Sequence, residues 1–179
     1  VIRKLMERVS HRKCVIGFQL DNETKHYDNA GENVQKEFIE YLKDKFSDIK
    51  ELNEEFGLTY WSNRINNWDD FPDVLGTING SLGAEFSKFQ RTLVNKFLAW
   101  QSDIVKEYKR EDQFITHNFD FEWIGYSYGV QSRVNHFEAS KCLTMAGVDI
   151  YHPSQDDLTG TEVSFGGDMT RSLKQDNYL

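Results

Sequence analysis

The chain changes from apolar to acidic within ten residues, Cys14-Val15-Ile16-Gly17-Phe18-Gln19-Leu20-Asp21-Asn22-Glu23. The first part is short and rich in residues that favour strands, so it predicts a buried strand that ends near Leu20. Two later stretches repeat this pattern, Phe114-Ile115-Thr116-His117-Asn118-Phe119 and Val148-Asp149-Ile150-Tyr151-His152, and the last one stops at Pro153. We therefore predict three buried strands whose ends carry polar side chains.

Helical patterns fill the segments between the predicted strands. Apolar residues recur every four positions from Val34 to Phe46, which is the spacing of one helix face. Ser47 is placed to cap a second helix that ends at Gly57. The longest predicted helix runs from Ala84 to Arg110, and its predicted apolar face consists of Phe86, Phe89, Leu93, Phe97, Trp100, Ile104 and Tyr108.

The last third of the chain continues the alternation of strands and helices. Asn135 and Glu138 resemble a capping box and predict a helix that runs to Gly147. A further helix is predicted over residues 160–173. Strand and helix in regular alternation are typical of an α/β fold with a parallel sheet, in which chemistry takes place at the carboxyl ends of the strands.

Composition and charge exclude several classes of function. The 179 residues carry a net charge of −8, which disfavours nucleic acid as a partner. No apolar run approaches the roughly 20 residues of a membrane helix. Cys14 and Cys142 are predicted to be buried free thiols, which favours a cytoplasmic location. His117, His136 and His152 lack ligand spacing and are interpreted as satisfied structural histidines, so no metal and no cofactor are expected.

The end of the first predicted strand carries the best candidate for catalysis. Glu23 could protonate the leaving oxygen of a glycoside and later act as a base, while the Asn22 amide bonds the sugar 2-hydroxyl. The alternative is a solvated turn or a helix cap. Asp120 and Glu122 follow the second strand, where either could be a second carboxylate, although polar contacts in a subsite loop are the better interpretation.

The segment Gly17-Phe18-Gln19-Leu20-Asp21-Asn22-Glu23 resembles the fourth-strand signature of clan A glycoside hydrolases. More closely, residues 16–26 resemble glycoside hydrolase family 42, the β-galactosidases. Further segments with the same likeness follow in order: Leu52-Asn53-Glu54 with Gly57, Tyr60-Trp61-Ser62, Trp68 with Phe71-Pro72, Thr116-His117-Asn118-Phe119, Asp149-Ile150-Tyr151-His152-Pro153, and Gly166-Gly167-Asp168 with Arg171-Ser172-Leu173. The resemblance covers nearly the whole chain.

The resemblance implies that residues 1–179 are one domain, part of a (β/α)₈ TIM barrel with about strands four to six, their helices and the start of strand seven. It implies retaining hydrolysis of terminal β-D-galactosides by two carboxylates about 5–5.5 Å apart. Glu23 matches the general acid/base. The nucleophile, a Glu at the end of strand seven, is expected beyond Leu179, so this chain is expected to be a fragment that lacks it.

The resemblance also implies the residues that contact the substrate. Asn22 matches the Asn before the acid/base, and Trp61 matches a Trp that lines the galactose pocket, with a core or helix-packing indole as the alternative. Tyr151 matches the strand-six Tyr beside the nucleophile, where a phenol keeps that carboxylate ionised. Thr24 to Val34 lacks the cysteines of the zinc-binding members, so no zinc is expected.

Other functions stay open at this point. The partners implied are a galactoside or oligosaccharide and further copies of the chain, since full-length relatives are often trimers; a membrane partner is not expected. Another clan A β-glycosidase, acting on glucosides or mannosides, is the enzymatic alternative. A barrel fragment without activity, which binds sugar or associates with itself, is the non-catalytic alternative.

Overall fold

The structure is a computed structural model that describes residues 1–122, 129–151 and 160–174. The chain divides into two compact units, the first with residues 1–25 and 93–179 and the second with residues 26–92. Within the described residues the helices are α1 (Ile2–Val9), α2 (Glu32–Lys45), α3 (Ile49–Glu55), α4 (Gly80–Lys106), α5 (His136–Ser140) and α6 (Thr161–Ser172), and the strands are β1 (Gly17–Gln19), β2 (Phe114–Thr116), β3 (Asn118–Glu122), β4 (Gly129–Val130) and β5 (Gly147–Tyr151).

The first unit contains two small sheets whose main pairings are parallel. β1 pairs with β2, and β3 pairs with β5 on one side and antiparallel with β4 on the other. The single strand predicted over residues 114–119 is therefore two strands, which are separated at His117. The parallel order confirms the predicted α/β architecture.

The core of the first unit lies under these strands. Ile115 of β2 and Phe119 of β3 are buried in one cluster of apolar side chains. Leu98 of α4 is fully buried against the same cluster. The helix predicted to run to Gly147 is shorter, since α5 ends at Ser140, and its start is as predicted because Asn135 Oδ1 accepts the Glu138 N–H at 3.2 Å.

The second unit is helical, and its core follows the predicted four-residue spacing. Phe38 and Leu42 of α2 are both fully buried. The cap of α3 is Asp48 rather than Ser47, because Asp48 Oδ1 accepts the Glu51 N–H at 2.8 Å. Ser47 instead donates its backbone N–H to the Glu51 carboxylate at 2.7 Å. The helix therefore begins one residue later than predicted.

Helix α4 contributes residues 80–92 to the second unit and residues 93–106 to the first. It begins earlier than predicted because Asn79 Oδ1 accepts the Leu82 N–H at 2.8 Å. The predicted apolar face is wrong at Phe97 and Trp100, which are 44% and 58% exposed. Their rings lie 6.1 Å apart on the exposed side, while Val94 and Leu98 occupy the core.

A buried carboxylate links α2 to α4 inside the second unit. Glu85 is 3% exposed and accepts hydrogen bonds from the Tyr41 hydroxyl and from Lys45 Nζ, both at 2.6 Å. Burial opposes ionisation of Glu85, but these donors and Lys88 outweigh it and lower the pKa of the carboxyl. Burial and the hydrogen bond to Glu85 raise the pKa of Tyr41 to about 12. The cluster is a structural ion network.

Two further predictions concern burial. Cys142 is half-buried, and burial raises the pKa of its thiol. Cys14 is exposed, so its predicted burial is wrong, because β1 begins only at Gly17 and leaves Cys14 in the preceding loop. None of the helices among the described residues is both long and apolar enough to span a bilayer.

Candidate active site

The loop after β1 has an unusual backbone. The torsion angle φ is 47° at Asp21 and 46° at Glu23. For residues with a Cβ atom, this left-handed conformation costs about 1–2 kcal/mol each. Such strain concentrates at functional sites and persists where the surroundings hold it in place. The hydrogen bonds that hold Asp21 and Glu23 in this conformation therefore identify the residues that shape the candidate site.

His117 holds the loop at both ends. Its Nδ1–H donates to the Leu20 carbonyl at 2.5 Å, and its Nε2 accepts the Thr24 N–H at 3.1 Å. These two contacts require the neutral imidazole with its proton on Nδ1. Burial lowers the pKa of His117 and supports the neutral form, although the Leu20 carbonyl and nearby carboxylates oppose this. The interpretation of His117 as a satisfied structural histidine agrees with this arrangement.

Asn118 connects the loop to the neighbouring strand. Its Oδ1 accepts the Glu23 N–H at 3.2 Å and the Gln19 Nε2–H at 3.0 Å. Its Nδ2 donates to Asn22 Oδ1 at 2.9 Å and to Asp149 Oδ2 at 2.6 Å. The side chain therefore joins both predicted site residues of the loop to β5. Asp149, which interrupts a predicted buried strand, has the hydrogen bond expected of it.

The structure brings Glu23 and Tyr151 together. The Tyr151 hydroxyl donates to Glu23 Oε1 at 2.8 Å, across 128 positions of sequence. That hydrogen bond and the charge of Glu23 raise the pKa of the Tyr151 phenol, so it remains a donor. Tyr151 was predicted beside the nucleophile, and here its described partner is the predicted acid/base. Glu23 is half-buried, whereas Asn22 and Tyr151 are exposed.

Asp120 lies deeper than Glu23 and is charge-compensated. It is 3% exposed, forms an ion pair with Lys25, and accepts the Gln131 Nε2–H at 3.0 Å. Glu122 is exposed at the end of β3, where its Cα pairs with that of Tyr151. A buried carboxylate already paired with a lysine favours polar support for Asp120 over the role of second catalytic carboxylate.

Trp61 belongs to the second unit, where it lies in a 3₁₀ turn over residues 60–62. It is 72% exposed and stacks on Tyr60 with ring centroids 5.3 Å apart. Its φ of 53° is another left-handed value at a residue with a Cβ atom. Trp61 is therefore not a core indole within the residues that the structure describes.

The remaining candidates divide between structural and undescribed positions. His136 is buried, and its Nε2 has no hydrogen-bond partner among the residues that the structure describes, so it is not the satisfied histidine that was predicted. His152 and the expected start of strand seven at residues 177–179 lie outside the described residues. Over the described ranges, no three His, Cys, Asp or Glu side chains gather into a metal site.

A family model of glycoside hydrolases, family 42, described as "Beta-galactosidase", matches residues 1–179. The chain belongs to glycoside hydrolase family 42. Among curated relatives of this family 42 chain are the beta-galactosidases BgaA of Clostridium cellulovorans and LacZ of Lactobacillus acidophilus, each 26% identical, over 99% and 100% of this chain. The chain spans 27% of the length of each.

Solved structures confirm the barrel fold of this family 42 chain. A catalytic mutant of Gan42B, a family 42 beta-galactosidase from G. stearothermophilus, superposes with a TM-score of 0.85 at 22% identity and covers 99% of this chain and 27% of that one. The beta-galactosidase of Halorubrum lacusprofundi gives a TM-score of 0.82 at 22% identity, over 99% and 28%. The described strands thus belong to part of a TIM barrel.

Sequence reasoning placed Glu23, Asn22 and Tyr151 at strand ends but did not assign roles to the residues that hold them. His117 was interpreted only as a structural histidine, Asn118 appeared only as part of a matching segment, and Lys25 was not singled out. The available signal was the pair of polar residues His117-Asn118 inside a predicted buried strand. Because buried polar side chains need partners, such a pair indicates contacts with a neighbouring strand end.

Proposed function

We propose that this chain carries the general acid/base and part of the sugar site of a retaining β-galactosidase, with Glu23 as the acid/base. The observation that supports this most directly is the placement of Glu23 after β1 in a family 42 barrel. There its carboxylate accepts the Tyr151 hydroxyl at 2.8 Å and its backbone is held by Asn118. A positioned, half-buried carboxyl group at the carboxyl end of a barrel strand is suited to proton transfer.

The proposed reaction is a double displacement. A second carboxylate attacks the anomeric carbon of the galactoside, the glycosidic bond breaks, and Glu23 gives its proton to the departing oxygen. Glu23 is then ionised, and it takes a proton from water as that water attacks the same carbon and releases galactose. Tyr151 donates to the ionised form of Glu23, so its contact supports the stage at which Glu23 acts as a base.

The substrate class is proposed from the relatives. The curated relatives are named beta-galactosidases, and a terminal β-galactoside is the substrate that this name implies. Asn22 is the proposed sugar contact, because it lies beside the acid/base and an amide binds hydroxyl groups. A sugar contact for Trp61 stays a prediction. A cytoplasmic location and homo-oligomeric assembly stay predictions.

The test is a comparison of Glu23→Gln with the unchanged protein, in the intact gene product that contains this chain. The amide keeps the size of the side chain but cannot transfer a proton, so we expect hydrolysis of lactose to fall by roughly 100- to 10,000-fold. The initial product anomer, followed by NMR, should be β-galactose. An initial α anomer would refute retention.

Glu111→Gln is the matched control, since Glu111 is exposed in a turn before β2. It should leave lactose hydrolysis unchanged. If Glu23→Gln retains substantial activity on lactose, Glu23 is not the acid/base, and Glu122→Gln becomes the next variant to measure. Faster turnover of an aryl β-glucoside or β-mannoside than of the galactoside would favour the alternative glycosidase.

A further inference from the structure

The amide of Asn118 can take only one orientation. Oδ1 accepts two N–H groups, from Glu23 and Gln19, and Nδ2 donates to two oxygens, from Asn22 and Asp149. A half-turn of the amide would place its NH₂ group against two donors and its carbonyl against two acceptors. Both acceptor sites and both donor hydrogens of the Asn118 side chain are used. The amide is therefore held in one position between the loop after β1 and strand β5.

The contacts of this side chain are not needed for strand pairing. β3 and β5 pair through their backbones, with Asn118 opposite Gly147, and the Gly147 N–H donates to the His117 carbonyl at 3.0 Å. The Asn118 side chain instead contacts the loop residues and Asp149. Its role is therefore separable from the assembly of the sheet.

We propose that Asn118 is a positioning residue of this site, which sets both the backbone of Glu23 and the orientation of the Asn22 amide. This inference rests on the proposed function. The Glu23 N–H belongs to the residue whose φ is 46°, so its bond to Asn118 holds the strained conformation that places the carboxylate at the Tyr151 hydroxyl.

The second consequence concerns the sugar. Asn118 Nδ2 donates to Asn22 Oδ1, so the Nδ2 end of Asn22 is the end that faces a ligand. Asn22 therefore acts as a donor to the sugar 2-hydroxyl, whose oxygen accepts. Without Asn118, either the NH₂ group or the oxygen of the Asn22 amide can face the sugar. The 2-hydroxyl should then contribute less to kcat/KM.

The first readout is the dependence of kcat/KM on the leaving group, measured with aryl β-galactosides in the intact gene product. Good leaving groups depart without a proton, whereas poor ones need a correctly placed acid. Asn118→Ala should therefore lower kcat/KM roughly 10- to 100-fold more for a 4-methoxyphenyl galactoside than for the 2,4-dinitrophenyl galactoside. Glu23→Gln sets the reference for this selective loss.

The second readout compares each aryl galactoside with its 2-deoxy analogue. Removal of the 2-hydroxyl should lower kcat/KM in the unchanged protein and in Asn118→Ala. The fold loss should be larger in the unchanged protein by a factor of about three or more. Asn22→Ala is the reference for this loss of sensitivity. The isosteric Asn118→Asp is the second variant. It keeps an acceptor for the Glu23 N–H but loses the donor to Asn22 and to Asp149, so that an oxygen atom then faces the oxygen of each. It should alter the 2-hydroxyl readout more than the leaving-group readout.

Asn135→Ala is the matched control, because Asn135 caps helix α5 and belongs to a different part of the chain from the loop after β1. It should lower stability without either selective effect. Equal losses for all leaving groups and unchanged 2-hydroxyl sensitivity in both Asn118 variants would overturn the proposal and leave Asn118 as a structural residue. If Glu23→Gln and Asn22→Ala also lack their selective losses, the proposed function itself has failed.

Discussion

His136 makes the stability of the first unit depend on pH. It is the first residue of α5, is 6% exposed, and its ring lies 5.0 Å from that of Phe119. Its Nε2 has no hydrogen-bond partner among the described residues. Burial is the main cause that lowers the pKa of His136 to about 4, and the charge of Asp120 opposes this shift.

The sign of the effect follows from proton binding in the two states. In the unfolded chain His136 has a pKa near 6.5. Below that pH the unfolded state therefore binds a proton on His136, whereas the folded state binds it only near pH 4. Stability is therefore complete above pH 6.5 and is lost as the pH falls toward 4. Each unit of pKa difference is worth about 1.4 kcal/mol, which gives a loss of about 2 kcal/mol at pH 5 and about 3 kcal/mol below pH 4.

The measurement is urea denaturation of the chain and of His136→Leu at pH 7.5 and pH 5.0, followed by circular dichroism. Carboxylates titrate in both proteins. The difference between their pH-dependent changes in the free energy of unfolding therefore gives the contribution of His136. The unchanged chain should lose about 2 kcal/mol more than the variant between these pH values. His11→Leu is the control, since His11 is exposed. Identical pH dependence in the unchanged chain and His136→Leu would refute the reasoning.

Two further predictions address the site and the second unit. Tyr151→Phe removes the hydroxyl that contacts Glu23 Oε1. We expect kcat/KM for an aryl β-galactoside to fall about tenfold with little change in stability. Unchanged kinetics would show that the contact has no role in catalysis. Glu85→Ala removes the buried acceptor of Lys45 and of the Tyr41 hydroxyl. Because Lys45 is 41% exposed and can be hydrated, we expect a loss of about 1–2 kcal/mol in urea denaturation. Glu40→Ala at an exposed position should cost less than about 0.5 kcal/mol, and similar losses in both variants would contradict a role for the Glu85 network.

The amino-acid sequence determined the elements that local patterns specify. The spacing of Phe38 and Leu42 predicted the buried face of α2, and the step from Leu20 to Asn22-Glu23 predicted a strand end that carries the catalytic candidate. Period and capping are properties of neighbouring residues, so they can be read along the chain. The parallel α/β order followed from the same alternation.

Local patterns failed where neighbours in space decide the outcome. Phe97 and Trp100 continue an apolar spacing on α4, yet they are exposed, because the core of the first unit takes Val94 and Leu98 instead. Cys14 lies in an apolar run that pairs only from Gly17 onward. Strand pairing and the choice of helix face depend on partners that lie far away in sequence.

Only the tertiary structure decided how the candidate site is held. Asn118 lies 95 positions after Glu23, and Tyr151 lies 128 positions after it, yet both contact that one residue. Parallel strands bring the ends of β1, β3 and β5 near one another, and their side chains then meet by hydrogen bonding at distances that local sequence does not encode. The sequence by itself specified a carboxylate at a strand end, and the fold added the amide and the phenol that orient it.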